Sequence, residues 1–524
     1  MDEQILRGQE NGTPPELVIS REEYAYGFII EVLTTGLYPE KRHVLREYVQ
    51  NSYDAIMDLR RAGLDDGNSR IEIRVEPPSV CIFDTGIGMD SRRMSEYRYV
   101  GYSKKLTRES VGFRGIGKLS GISAAGKIIV TTTPYGVAER HRLVFDAEAM
   151  LARVEALKEH GDNIALNRLI TEHSSLSTED EDADAHYTLV ELYDMREDAK
   201  DLLVPELVTE YLGLTGPVGF DPAFPFGGGI DADLRKYIHD YDTVPLEVNG
   251  QPIYKPFLAD LKAPQSIMVW PDDQPEDDAT SSLLAYCWYC EHSGKGQLVD
   301  KQHRGLVYRV KNFAVGEGHL PRVTLWHTTP ERAFYFFGEI HVCDPEVVPS
   351  ASRIDFEQNA ARDRLYRRCS AQISRTLTKV AGESSDTRRA IEFVGRAEEL
   401  TARIGSEVEN RTVPAELRVN KIVDLSNAAT EVAKRLKNAP EEFKDRGERA
   451  IEVAKDLVKR LDEGPDDGEG TSPVYDITDE AHLGTEAKWV YDTVMEVLRE
   501  ILSGRGDLFE EVIRRIHGKL RSGR

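Results

Sequence analysis

The clearest periodicity in the chain lies between residues 45 and 59, in the stretch LREYVQNSYDAIMDL. With about 100° between successive residues, one side of a helix would collect the mainly apolar set of Leu45, Tyr48, Val49, Ser52, Ile56 and Leu59. Glu47, Asn51 and Asp54 would share a narrow arc on the opposite side. The pattern predicts an amphipathic helix, whose polar face is either solvated surface or a carboxylate and an amide presented to a ligand.

Segments that alternate apolar and polar residues, or that are rich in β-branched residues, follow this helix and predict strands. They are RIEIRVE, VCIFD, KIIVTTTP, HRLVFD and HYTLVELYDM. Before the last of them, the acidic run TEDEDADA at residues 178–185 predicts a solvated loop.

Beyond residue 198, helices mix with the predicted strands TVPLEV, SIMVW, GLVYRVKNFAV and FGEIHVCD. From about residue 356 onward, a composition rich in Ala, Glu, Lys, Arg and Leu predicts helices almost throughout. The predicted fold class is therefore α/β with an all-helical C-terminal region. We expect three domains, at residues 1–198, 199–375 and 376–524, the second being an α/β middle domain.

The amino-acid composition argues against several classes of protein. The 524 residues carry a net charge of −24, which argues against a surface that neutralises nucleic-acid phosphates broadly. No run of roughly 18 apolar residues occurs, so we expect no membrane span. The acidic, polar N-terminus does not resemble a signal peptide. Five cysteines are too few for a disulfide scaffold and fit a reducing cytosol, so we expect a cytoplasmic protein.

One cysteine pair, Cys287 and Cys290 in YCWYCEH, has the spacing of half a zinc site or of a redox pair. It lies in the apolar and aromatic run LLAYCWYCEHSG, which predicts a buried strand. Core packing is therefore the favoured interpretation of both thiols.

Two glycine-rich segments follow the first helix. DTGIGM begins at Asp84, at a strand end, where a carboxylate can accept from an exocyclic amine and glycines let the backbone approach a flat ring. VGFRGIGKLSG holds closely spaced glycines whose backbone N–H groups can point at phosphates. Its GFRGIGK also matches part of a P-loop, but Leu119 stands where a P-loop needs Ser or Thr, which disfavours that interpretation.

The three elements E-x-x-x-N-x-x-D-A, D-x-G-x-G-M and G-x-x-G-x-G, in this order and spacing, resemble the nucleotide site of the GHKL ATPases. That family includes gyrase, the ninety-kilodalton heat-shock chaperone, histidine kinases and MutL. GFRG is similar to MutL, and DTGIGM is similar to the chaperone. The resemblance implies an N-terminal Bergerat-type α/β sandwich that binds ATP and magnesium.

The resemblance also implies a role for each matching residue. Glu47 would be the general base that polarises the attacking water, Asn51 would hold magnesium, and Asp84 would receive the adenine amino group. Gly88 and Met89 would line the base, residues 112–117 would form a lid over the phosphates, and Thr188 would match a threonine of a chaperone strand, although Tyr187 replaces the preceding glycine. The residues assigned to the nucleotide besides Asn51 and Asp84 are Asp54, Gly86, Gly88, Met89, Lys104, Gly112, Phe113, Arg114, Gly115, Ile116, Gly117 and Thr188.

A second resemblance lies at residues 338–369, which are similar to a segment of the chaperone's middle domain. It implies that Arg353 is a catalytic residue that reaches the γ-phosphate, with Gln358 and Asn359 close behind. GLVYRVKNFAV is similar to a strand of the same domain. By analogy with the transducer lysine of MutL and gyrase, Lys301 or Arg304 is the alternative source of this cation.

These resemblances favour a magnesium-dependent ATPase with a chaperone-like conformational cycle. We expect a homodimer formed through the C-terminal helices and an unidentified protein client or effector. The rival hypothesis is a MORC- or MutL-like ATPase switch in a DNA-related or phage-defence system, and nucleic acid as a partner is disfavoured by the acidic charge. A third hypothesis is a scaffold that binds nucleotide without turnover.

Overall fold

The computed structural model describes residues 30, 40–98, 117–239, 241–271, 283–293, 296–300, 303–316 and 318–463. The chain divides into two compact units, one of residues up to 391 with 438–440, the other of 392–437 with those from 441 on. The first unit is mixed α/β and the described part of the second is helical, which confirms the predicted fold class. Among the described helices, none combines the length and the apolar composition that crossing a membrane requires.

The predicted amphipathic helix is present as α1 (Arg42–Arg61), which extends beyond the predicted stretch at both ends. Its entire predicted seam is buried. Arg60 and Arg61 lie in its last turn, where positive charge is favourable beside the helix dipole. The seam packs into a core shared with apolar residues of the first sheet, such as Ile73 and Ile82.

The described strands of the first sheet are β1 (Ile71–Glu76), β2 (Ser79–Asp84), β3 (Ala125–Thr133), β4 (Glu139–Asp146), β5 (Ser174–Asp180), β6 (Tyr187–Met195), β7 (Leu246–Val248) and β8 (Gln251–Pro252). Their order is β5-β4-β3-β6-β2-β1-β7-β8, and only the β1–β7 pairing among them is parallel. The helices along this part are α2 (Ser91–Tyr97), α3 (Ala147–His160), α4 (Leu166–Glu172), α5 (Pro205–Thr215) and α6 (Gly227–Tyr237), with 3-10 helices at Gly117–Ser123 and Glu197–Leu203.

Two features of this sheet were not predicted from the sequence. The acidic run was predicted to be a loop, but its first three residues belong to β5, where Arg140 of β4 pairs with Glu179 at 2.5 Å. That prediction is wrong at its start because cross-strand ion pairing offsets the crowded negative charge. The sheet also takes in β7 and β8, which follow residue 198, and the three domain boundaries stay predictions.

The second sheet is also part of the first unit. Its described strands are β9 (Gln265–Val269), β10 (Ala285–Glu291), β11 (Gly305–Val310), β12 (Phe313–Val315) and β13 (Phe336–Val342), in the order β12-β11-β13-β10-β9. They are accompanied by α7 (His319–Leu325), a 3-10 helix (Pro330–Tyr335), α8 (Ala360–Cys369) and a π-helical turn (Ser370–Ser374).

GLVYRVKNFAV was predicted to be one strand, and this is wrong. It forms the antiparallel hairpin β11–β12, whose turn residues Lys311 and Asn312 have φ of 48° and 64°. Two successive residues with positive φ make the tight turn that matches the twist of a hairpin. The usual glycine signal of such a turn is missing from the sequence.

The remaining helices are α9 (Arg375–Glu409), α10 (Ala415–Arg435), a 3-10 helix (Leu436–Asn438) and α11 (Glu441–Glu463). The second unit has its own apolar cores, one of which joins Ile404, Leu425 and Leu457 from three different helices. The predicted helical character from about residue 356 is confirmed for residues 360–463.

Candidate active site

The protein shields much of the polar face of α1 from solvent. Asp54 is 2% exposed, and Glu47 and Asn51 are partly buried. A Cβ at Gly117, where the 3-10 helix begins, would lie only 2.1 Å from Glu47 Oε2. The glycine therefore lets the backbone come directly onto the Glu47 carboxylate.

Asn51 lies one helical turn after Glu47. Its side-chain nitrogen is buried and lacks a hydrogen-bond partner among the residues that the structure describes. A buried polar atom left in this way is costly unless a ligand or water satisfies it. Since an amide can turn either its oxygen or its nitrogen to such a position, Asn51 fits a ligand-binding role.

The DTGIGM segment is fixed against α1 and β3. Asp84, at the end of β2 and 3% exposed, accepts from the backbone N–H of Gly86 at 2.9 Å. The N–H of Ile87 donates to Ala55 O in α1 at 3.2 Å. Gly88 has φ of 69°, and a Cβ there would lie 2.0 Å from Thr133 O, so only glycine fits. Met89 N–H donates to Thr132 Oγ1 at 3.1 Å.

Thr188 lies on β6 between two of these elements. It is opposite Asp84 on one side and Thr132 on the other, and its hydroxyl is 3.1 Å from Thr132 Oγ1. The structure therefore brings Thr188 to Asp84. Tyr187, which replaces the expected glycine, packs its ring beside Phe83 at 5.7 Å between centroids.

His186 belongs to this site and was missed by the sequence reasoning. Its Nδ1 lies 2.9 Å from Gly86 O, and because a carbonyl only accepts, Nδ1 carries the proton. Its ring also lies 5.1 Å from that of Tyr135. The only signal in the sequence was its position two residues before Thr188.

The loop before α8 reaches the N-terminal end of α1. Arg46, 2% exposed, donates from Nη2 to Ser352 O at 2.9 Å. The next residue, Arg353, is 6% exposed, and its carbonyl accepts from Gly316 N–H at 2.8 Å. Its guanidinium lies 5.9 Å from the ring centroid of Phe313.

Arg353 and Glu47 interact electrostatically. Burial raises the pKa of Glu47, and the guanidinium groups of Arg353 and Arg46 oppose that rise. Burial lowers the pKa of Arg353 to about 10, and Glu47 is the main group that opposes this shift. At neutral pH, Arg353 is thus a cation beside a carboxylate whose basicity is increased. Burial, together with Arg46 and Arg42, also lowers the pKa of His43 to about 3, so this neighbour is neutral.

Several other candidates lie elsewhere. Arg304 donates to Leu298 O at 3.2 Å and stacks over Phe334 at 3.7 Å. Asn359 caps α8, where its Oδ1 accepts from Arg362 N–H at 2.8 Å. The candidates outside the described residues are Lys104, Gly112, Phe113, Arg114, Gly115, Ile116 and Lys301.

The side chains of Cys287 and Cys290 lie on opposite faces of the second sheet. Cys287 packs in one apolar cluster and Cys290 in another, because residues three apart on a strand point to opposite faces. Both thiols are buried, and they cannot jointly bind a metal through one face of β10. In the described part of the chain, no group of three or more His, Cys, Asp or Glu side chains has the arrangement of a metal site.

These residues fit a nucleotide and magnesium. Asp84 is a buried carboxylate at the end of a strand, and a carboxylate oxygen there can accept from an exocyclic amine. Asn51 offers a polar end without a described partner. Magnesium is commonly bound through a few protein oxygens together with substrate phosphates, so a single amide suits a metal that the triphosphate also holds.

Part of the chain matches a known protein family. Residues 40–177 match the family described as histidine kinase-, DNA gyrase B-, and HSP90-like ATPase. This match supports a GHKL-type ATPase domain, and therefore ATP binding, in that part of the chain. None of the curated proteins matches the chain. The matched span contains α1 and the DTGIGM segment but neither Thr188 nor Arg353.

Proposed function

We propose that this protein is a magnesium-dependent ATPase. Its hydrolysis of ATP requires a cation from the region of the first unit that contains the second sheet, as in the ninety-kilodalton heat-shock chaperones. The observation that carries the proposal is the position of the Arg353 loop at α1, where Ser352 O accepts from Arg46 Nη2 at 2.9 Å. Arg353 and Glu47 also shift each other's pKa, although the two residues are about 300 positions apart in the chain.

In this mechanism, Asp84 receives the adenine amino group at the buried end of β2. Asn51 would hold magnesium, which when bound offsets the negative charge of the phosphates. Glu47 orients a water molecule and takes its proton, and the raised pKa that burial gives Glu47 makes it a stronger base near neutral pH. Phosphoryl transfer depends mainly on positioning and electrostatic stabilisation, which these groups supply.

Arg353 would stabilise the charge that develops on the transferring phosphoryl group. A fixed cation in a site that excludes water requires little reorganisation during the reaction. The contact between Arg46 and Ser352 O holds the loop that carries Arg353 at the end of α1. The contacts of Arg304 with Phe334 and Leu298 O support Arg353 over Arg304 as the source of the cation.

The proposal includes a conformational cycle coupled to ATP, a homodimer formed through the C-terminal helices, a protein client or effector, and a cytoplasmic location. Sedimentation of the full chain, with and without ATP, tests the dimer. A monomer at all protein concentrations would remove that part of the proposal and leave the ATPase part intact.

Arg353→Ala tests the proposal. We expect turnover to fall by about 10²- to 10³-fold, the size of effect seen when one fixed charge-stabilising group is removed. ATP affinity, measured by calorimetry, should change little because the interaction is made mainly in the transition state.

The matched control is Arg304→Ala, which removes a partly buried arginine from the same unit. Its turnover should stay close to that of the unmodified protein. If Arg353→Ala is silent and Arg304→Ala or Lys301→Ala abolishes turnover, the protein belongs to the MutL-like branch. A full chain that binds ATP without hydrolysing it would favour the scaffold hypothesis.

A further inference from the structure

A buried group of charges lies at the second sheet, away from α1. Glu339 on β13 is 5% exposed and is contacted by four donors among the described residues. Lys255 Nζ donates to it at 2.9 Å, and Trp288 Nε1 and His341 Nε2 donate at 3.0 Å each. The fourth donor is the Arg309 guanidinium, through Nε. Such a set of satisfied contacts holds a carboxylate in one position.

The protonation states agree with this arrangement. Burial alone would raise the pKa of Glu339, but Arg309 and Lys255 outweigh it and hold that pKa well below its usual range. Burial lowers the pKa of His341 to about 4, so its ring is neutral and donates one hydrogen bond. Glu339 is therefore a fixed anion inside the unit at neutral pH.

Arg309 extends from this anion to the tip of the β11–β12 hairpin. Its Nη1 donates to Asn312 O at 2.8 Å, and its Nη2 donates to Leu214 O at 2.9 Å near the end of α5. Asn312 is fully buried, and its side chain donates to Asp242 O at 3.2 Å. The turn with positive φ is thus held on both sides, and Glu339 orients the arginine that holds it.

The hairpin then enters the core beneath α1. Phe313, the residue after the turn, is fully buried in the apolar cluster of the first sheet. Its ring meets that of Tyr53 in α1 edge to face, with 5.3 Å between centroids. The Arg353 guanidinium lies over the ring of Phe313, and the N–H of Gly316, just after β12, donates to the Arg353 carbonyl.

We propose that Glu339 is a positioning residue for ATP hydrolysis, acting through Arg309 and the β11–β12 hairpin to hold Phe313 and Arg353 against α1. The proposal rests on the proposed function, in which Arg353 acts at the phosphates. Without the anion, Arg309 loses the partner that orients it, the turn gains freedom, and Arg353 departs from its position beside Glu47.

Glu339→Gln tests this in the full chain. We expect kcat to fall by about tenfold or more, because a misplacement of about 1 Å at a reacting group can cost about 10²-fold. The dissociation constant for ATP should stay unchanged, since Glu339 does not contact the Asp84 region. The matched control is Glu291→Gln, which removes a carboxylate that binds Lys262 at 3.0 Å on β10, the strand on the other side of β13 from the hairpin. Its kcat should stay unchanged.

A double-mutant cycle separates positioning from general loss of stability. If Glu339 acts through Arg353, adding Glu339→Gln to Arg353→Ala should lower kcat no further, because coupled residues are non-additive. Fully multiplicative losses would overturn the proposal, as would an unchanged kcat in Glu339→Gln. If Glu339→Gln does not fold, Arg309→Lys replaces it, because lysine keeps the charge but cannot hold three acceptors in a fork.

Different results would contradict the proposed function and the role of Glu339. If the unmodified protein does not hydrolyse ATP, or if Arg353→Ala is silent, the proposed function is wrong. If Arg353→Ala is severe but Glu339→Gln and Arg309→Lys both turn over ATP at the unmodified rate, only the role of Glu339 is wrong.

Discussion

Gly117→Ala tests the position of the Glu47 carboxylate without changing the carboxylate itself. A Cβ at residue 117 would lie 2.1 Å from Glu47 Oε2, whereas ordinary van der Waals contact begins at 3.4 Å. The carboxylate must then retreat by the difference, about 1.3 Å. It can do so at small cost to folding, because the colliding atom is the far end of a flexible side chain.

The expected result is a loss of turnover in a folded protein. A displacement of about 1 Å at a reacting group can lower a rate by about 10²-fold, so we expect kcat to fall by that order. Glu47→Ala sets the lower limit of the assay, since general-base catalysis contributes about 10²- to 10⁴-fold. Steady-state ATP hydrolysis at saturating ATP measures both, and circular dichroism shows that each variant is folded.

The control is Gly228→Ala in α6, where a Cβ would meet nothing within 4 Å. Its turnover should equal that of the unmodified protein. In the Gly117→Ala background, Glu47→Asp shortens the side chain and withdraws the carboxylate from the new Cβ. The loss of turnover in the double variant, expressed as free energy, should therefore be smaller than the sum of the losses in the two single variants. A folded Gly117→Ala protein with unmodified turnover would refute the reasoning, because the carboxylate would then have moved without consequence.

Two further predictions concern the same site. Asp84→Asn should weaken ATP binding by about 10- to 10²-fold in calorimetry, because a buried amide in place of the acceptor costs about 1–3 kcal/mol; unchanged affinity would make Asp84 only a turn residue. Burial raises the pKa of Glu47 above its usual 4.5, so kcat should decline as pH falls through that raised pKa and the base becomes protonated. Arg353 lowers that pKa, so in Arg353→Ala the acidic limb should move to higher pH, and a move to lower pH would contradict the electrostatics.

Local patterns explain why much of the site could be predicted. The 3.6-residue period of α1 determines that Glu47 and Asn51 share a face, and the alternation in β2 determines that Asp84 is on the buried face of its strand. These relations depend on neighbours in the chain. The family resemblance supplied the roles of these residues, and the match over residues 40–177 supports the class of domain.

Contacts between distant residues explain what could not be predicted. The donors to Glu339 come from residues as far apart as Lys255 and His341, and no local pattern relates them. The turn at Lys311 and Asn312 lacks glycine, because buried hydrogen bonds from Arg309 and Asn312 hold the backbone in an unusual conformation. His186 has no neighbouring motif that would indicate its contact with Gly86.

The two-sided burial of β10 limits how the protein can diverge. Ala285, Cys287 and Tyr289 face one apolar cluster, while Tyr286, Trp288 and Cys290 face the other. Inserting or deleting a single codon within this strand would exchange the two sets on one side of the change, so that the side chains there would enter the wrong core. Trp288 would also leave its bond with Glu339. Related genes are therefore expected to change the length of surface loops freely and to keep the length of this strand fixed.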